Sequence, residues 1–207
     1  MDLSRRQLIA LGSGIVVTGG IGYSLFNNDA PCDDSRESGP ITIGQEDAPT
    51  VRVFSDYACP HCKSFVKEVG PSLKSAAENG DIFYRHFDFP LPVDDRWSRA
   101  IPNVGRYVYE MAGPVAFSKF ESDVYDYQGD YSEQAVIDTA LDVLGSASES
   151  DVRSVLEERS YCEEIDQEIA TGEDHGVEGT PMVMVGSDWT YVEKPSFENI
   201  MAAISDR

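Results

Sequence analysis

A strand-like run that stops on a cysteine pair and restarts as a helix constrains this chain more than any other feature. Val51-Arg52-Val53-Phe54-Ser55-Asp56-Tyr57 is rich in β-branched and aromatic residues, as a central strand requires. Cys59-Pro60-His61-Cys62 follows almost at once. From Pro60 the apolar positions Cys62, Phe65, Val66, Val69, Leu73, Ala76 and Ala77 recur at three- and four-residue spacing until Asn79-Gly80, a helix-ending pair. Gly70-Pro71 should kink that helix midway. Cys59 is thereby placed where a strand ends and a helix begins.

A Cys-x-x-Cys by itself has several readings: half a zinc site, a metallochaperone loop, a redox dithiol or coincidence. Structural zinc takes four ligands, and the candidates left over are His86, His175 and the two isolated cysteines Cys32 and Cys162, which lack metal-like spacing. No metal and no cofactor are expected. The redox reading gains from placement. At a helix N-terminus the free N–H groups and the helix dipole favour an anion, so a thiolate at Cys59 is stabilised. Pro60 falls in the first turn, where its missing N–H costs nothing. His61 is read as tuning the pair, its imidazole adding to the stabilisation of the Cys59 thiolate. Favouring the reduced form makes the disulfide a better oxidant. Cys62, one turn in, is the expected resolving thiol.

The remaining pattern is mixed. Ile41 to Gly44 reads as a short edge strand, and Asp81 to Phe89 as a second core strand that completes a right-handed parallel strand–helix–strand unit. From about residue 94 to 174 the pattern is helical, with pieces near Trp97–Met111, Val115–Tyr125, Ser132–Leu144, Asp151–Arg159 and Glu163–Thr171. Val183 to Val185 and Thr190 to Val192 form a hairpin across Gly186-Ser187-Asp188, and Ser196 caps a last helix. The fold class is α/β: a mixed sheet flanked by helices, with an all-helical insertion between its two halves.

Val53-Phe54-Ser55-Asp56-Tyr57-Ala58-Cys59-Pro60-His61-Cys62-Lys63-Ser64-Phe65 resembles the active-site segment of DsbA-like proteins of the thioredoxin superfamily. Gly176-Val177-Glu178-Gly179-Thr180-Pro181 resembles that superfamily's cis-proline loop, and Tyr84-Arg85-His86-Phe87 the strand between them. The resemblance runs over 41–207 and implies a thioredoxin-like domain with Cys59–Cys62 as a redox-active disulfide. It also implies a cis Thr180–Pro181 bond against the dithiol, and a Thr180 backbone that pairs an incoming peptide as an added strand. Members often carry a buried Glu where Val53 stands, a carboxylate that ferries the proton of the buried thiol. Its absence leaves that step to water, His61 or Asp56, although Asp56 reads equally as a strand-end cap. The direction expected is disulfide donation to reduced exported proteins, with a membrane partner that re-oxidises the pair. The alternatives are a reductase or isomerase of the same fold, and a non-catalytic metal- or peptide-binding protein.

Charge narrows the partners. Thirty-seven acids stand against 16 bases, a net charge of −21 over 207 residues, so nucleic acid is repelled. The acids are spread along the chain, which fits either a merely acidic surface or a protein built to fold in concentrated salt, where dense carboxylates are screened.

Residues 1–28 read as an export signal or an N-terminal membrane anchor. Arg5-Arg6 before Leu8-Ile9 resembles a twin-arginine signal. Residues 8–26 span about 28 Å as a helix, close to a bilayer's hydrocarbon thickness. The positive-inside rule then places the chain beyond residue 28 outside the cytoplasm. Residues 29–40 read as a flexible acidic linker. Cys32 and Cys162 permit a second disulfide between linker and helical region. Equally, Cys162 is a small buried residue and Cys32 a lipid-attachment site, although Asp29-Ala30-Pro31-Cys32 is a poor lipidation motif.

Overall fold

The computed structural model describes residues 39–206. The leader, the linker up to residue 38 and Cys32 lie outside the described residues. Five strands, β1 (Thr42–Ile43), β2 (Thr50–Ser55), β3 (Phe83–Asp88), β4 (Met182–Val185) and β5 (Thr190–Tyr191), form one sheet in the order β1-β3-β2-β4-β5. β2 and β3 run parallel, with Val53 beside His86 and Ser55 beside Asp88; the other pairings are antiparallel.

β2 is buried on both faces, which is why its middle, Val51 to Phe54, is apolar apart from Arg52. Alternation sends Val51 and Val53 into the main core and Phe54 into a smaller one with Phe87, Phe89, Val177 and Met184. Arg52 sits on the second face, its guanidinium 4.0 Å over the Trp189 ring.

Two helices return the chain from β2 to β3: α1 (Pro60–Glu68) and α2 (Gly70–Glu78). They break at Val69, where the sequence places Gly70-Pro71. α1 buries Cys62, Phe65 and Val66, and the last helix, α7 (Phe197–Ser205), buries Ile200 in the same core, with Ser196 accepting from the Asn199 N–H at its start.

Between β3 and β4 run α3 (Trp97–Val124), a 3-10 turn (Tyr125–Tyr127), α4 (Glu133–Leu144), α5 (Glu149–Glu158) and α6 (Cys162–Asp174). α3 is two helices joined at Gly113, whose φ of 79° favours glycine, with Pro114 opening the second. α3, α4 and α5 pack on one another and contribute Ile101, Val104, Phe120, Val136, Ile137 and Val152 to the main core. α6 lies on the sheet instead: a Cβ at Gly172 would stand 2.6 Å from the Phe89 ring, so only glycine admits that approach. Cys162, at the start of α6, is disulfide-bonded. Among the described residues no helix is long and apolar enough to cross a membrane.

Candidate active site

β2 ends at Ser55, and the turn Asp56-Tyr57-Ala58 delivers Cys59 to the N-cap of α1, its φ/ψ of −79°/119° still extended. No side chain caps that helix, so its first N–H groups face the Cys59 sulfur. Both thiols are free; Cys59 is 5% exposed and Cys62 is not exposed at all.

The Thr180–Pro181 bond is cis, and it brings the Thr180 carbonyl within 3.2 Å of Cys59 Sγ, which donates to it. Two segments about 120 residues apart thus meet at one sulfur. The Thr180 hydroxyl is buried there within reach of both sulfurs, where it favours their anions. Pro60 and His61 are exposed on the first turn of α1, and it is the backbone N–H of His61 that contributes to stabilising the Cys59 anion.

The two thiols are pushed in opposite directions. Cys59 is lowered to about 5, first by the hydrogen bond from the Cys62 thiol, with Thr180 and the N–H groups of Cys62 and His61 adding to it against burial. Cys62 is raised, mainly by burial and then by its bond to Cys59. The arrangement is one nucleophilic or leaving thiolate at the helix N-terminus, 5% exposed, backed by one fully buried thiol that keeps its proton.

The helical insertion holds the turn from the other side. Tyr125 donates to the Asp56 carbonyl at 3.1 Å, Tyr131 to the Tyr57 carbonyl at 3.0 Å, and Gln128 Nε2 to both the Tyr57 and Cys59 carbonyls at 2.8 and 3.0 Å. The carbonyls of Asp56, Tyr57 and Cys59 are therefore satisfied by one seven-residue stretch that the sequence does not single out. Isolated Tyr and Gln in a helical region carry no signal of such a role. Beside Pro60, the residues Ala58, Val93, Gln128, Gly129 and Tyr131 line an open cleft of about 350 Å³, with Val93 61% exposed.

The other residues weighed as ligands are elsewhere. His86 lies in a buried ion network, and His175 stacks on Trp189 with ring centroids 3.7 Å apart. Val53, where a carboxylate could have stood, is 1% exposed in the apolar core.

Comparison with known proteins agrees with this geometry. A family model described as thioredoxin matches residues 36–206. Disulfide bond formation protein D of Bacillus subtilis is 23% identical over 164 residues, covering 76% of this chain and 72% of that protein. The crystal structure of oxidised BdbD from Bacillus subtilis superposes with a TM-score of 0.69 at 20% identity, covering 86% of this chain and 98% of that one. The thiol-disulfide exchange protein alpha-DsbA2 of Wolbachia pipientis gives 0.65 at 20% identity, covering 81% and 86%. The chain belongs to the thioredoxin family.

Proposed function

We propose that this protein is an extracytoplasmic thiol–disulfide oxidoreductase that introduces disulfides into exported proteins through Cys59 and Cys62. The observation that carries the reading is the placement of the two thiols: Cys59 at the uncapped N-terminus of α1, 3.2 Å from the carbonyl before the cis proline, is lowered to about 5, while the fully buried Cys62 is raised. A stabilised thiolate favours the reduced pair, and a pair that prefers to be reduced is an oxidant. The names of the Bacillus relatives and the twin-arginine-like leader support the direction and the compartment.

In the oxidised enzyme a client thiolate attacks Cys59 Sγ. A client–Cys59 bond forms, the Cys59–Cys62 bond breaks, and Cys62 takes up a proton. A second client thiolate then attacks the client sulfur of the mixed disulfide and expels Cys59 as the thiolate. The client loses two electrons and two protons. The enzyme gains both electrons, keeps one proton on Cys62 and leaves the other in solvent. The Thr180 main chain is positioned to pair the client segment as an added strand, which aligns its sulfur with Cys59. Pro60 and His61 present the first turn of α1 to that segment. A membrane partner of the quinone-linked kind, implied by the family, returns the electrons outward.

The test is the reduction potential of the pair with Cys59→Ser as control. A value near about −120 mV supports disulfide donation, and one near about −270 mV assigns the protein to reduction or isomerisation instead. Cys59→Ser should abolish oxidative refolding of a reduced secreted protein; full retention would assign the protein to non-catalytic binding.

A further inference from the structure

The active-site turn holds one buried acid that these exchange steps do not use. Asp56 is 1% exposed. Its Oδ1 accepts the Ala58 N–H at 2.9 Å inside the turn, and its Oδ2 accepts the Leu91 N–H at 3.0 Å from the loop after β3. Its own N–H donates to Cys62 Sγ at 3.5 Å. Among the described residues no Lys, Arg or His pairs with this carboxylate. The titratable groups around it are Cys59 and Cys62 on α1, Tyr125 and Tyr131 of the insertion and, beyond Tyr131, Asp94 in the loop after β3; none is a cation. A buried carboxylate without a cation is costly, so its retention beside a thiolate calls for a reason.

We propose that Asp56 is a positioning residue that opposes the Cys59 thiolate, and so sets how strongly oxidising the pair is while it ties the Leu91 loop to the active-site turn. The inference rests on the reading of Cys59–Cys62 as a redox pair. Reduction of the disulfide brings two electrons and one proton to the pair, with the proton on Cys62 and new negative charge on Cys59. That charge arises in the turn closed by the Cys59 N–H on the Asp56 carbonyl at 3.0 Å, so the nearby carboxylate disfavours the dithiol and favours the disulfide. The helix N-terminus and Cys62 stabilise the thiolate; Asp56 limits that stabilisation, which keeps re-oxidation within reach of a partner. Burial raises the Asp56 carboxyl, the N–H donors of Ala58 and Leu91 and the Ser98 hydroxyl hold it down, and Cys59 adds to the rise, as the proposed coupling requires.

Asp56→Asn and Asp56→Ser both remove the charge and leave an oxygen to accept from Ala58. In each, the pH at which Cys59 ionises, followed by ultraviolet thiolate absorbance, should fall. The equilibrium with glutathione should move toward the dithiol by on the order of threefold to tenfold. Asp56→Glu, which keeps the charge, should move back toward the parent. In the parent itself the Asp56 carboxyl carbon, followed by NMR, should titrate at higher pH in the dithiol form than in the disulfide form, which needs no variant to fold. Cys59 ionising at the parental pH in the folded Asn and Ser variants, or an Asp56 titration indifferent to redox state, overturns the proposal. Failure of the pair to exchange with glutathione at all would instead overturn the proposed function, since the ionisation of Cys59 is read without turnover.

Discussion

Two buried polar regions adjoin where β2 and β3 end, and they are built on opposite rules. The active-site turn carries Asp56 with N–H donors and, among the described residues, no cation. One ladder position away, Asp88 stands beside Ser55 and belongs to a fully paired network. There Lys74 meets Glu121, and Glu121 meets His86 at 3.3 Å. His86 meets Asp88 at 2.9 Å, Asp88 meets Arg106 at 3.2 Å, and Arg106 meets Glu168 at 2.5 Å. These residues come from α2, α3, β3 and α6, so the network is the seam where the insertion and α6 are fastened to the sheet. In the seam each acid has a cation, which serves position. In the turn the acid is left unpaired, which leaves its charge free to act on a neighbouring sulfur. Burial alone does not distinguish a structural charge from a functional one; the presence of a partner does.

The contrast can be broken most forcefully at Arg106. Arg106→Met leaves Asp88 and Glu168 buried without their shared cation and should lower stability by about 3–5 kcal/mol in urea unfolding. The pH of Cys59 ionisation in the folded variant should not move. A shift there would mean that the seam also tunes the thiol.

A smaller effect separates the regions by pH. Burial pushes the His86 imidazole down, but Asp88 and then Glu121 outweigh it, so its pKa is raised above the ordinary value. A raised pKa contributes stability that is complete below the unfolded value, about 6.5, and is lost as pH rises through the folded one. Urea midpoints should therefore fall as pH rises above about 6.5 in the parent, and that slope should be absent in His86→Gln. An unchanged slope would place its origin outside the seam.

The smallest effect expected lies where the regions touch the insertion. Gln128→Ala removes the donor shared by the Tyr57 and Cys59 carbonyls and should cost about 1 kcal/mol. Its exchange with a dithiol peptide should slow severalfold while thermal unfolding changes little. Unchanged exchange kinetics would assign Gln128 to stability alone.

Much of the frame was legible in one dimension because its signals are local. The alternation of Val51, Val53 and Phe54, the kink at Gly70-Pro71, the cap at Ser196 and the order of strand, cysteine pair and helix each depend on residues close in sequence. The placement of Thr180-Pro181 against Cys59 followed from resemblance, since no spacing rule relates positions so far apart. Tyr125, Gln128 and Tyr131 were not legible, because their partners are backbone carbonyls that carry no sequence identity.

By itself the sequence determined the element order, the position of Cys59 at the mouth of a helix, and the absence of an acid at Val53, all consequences of side-chain pattern and local backbone preference. Only the tertiary structure decided which charges are paired. Lys74 and Glu121, or Arg106 and Glu168, meet because helices from separate parts of the chain cross β3, while Asp56 is enclosed by N–H and hydroxyl donors and, among the described residues, by no cation. Electrostatic role depends on distance and burial, and both are set by packing among residues remote in sequence.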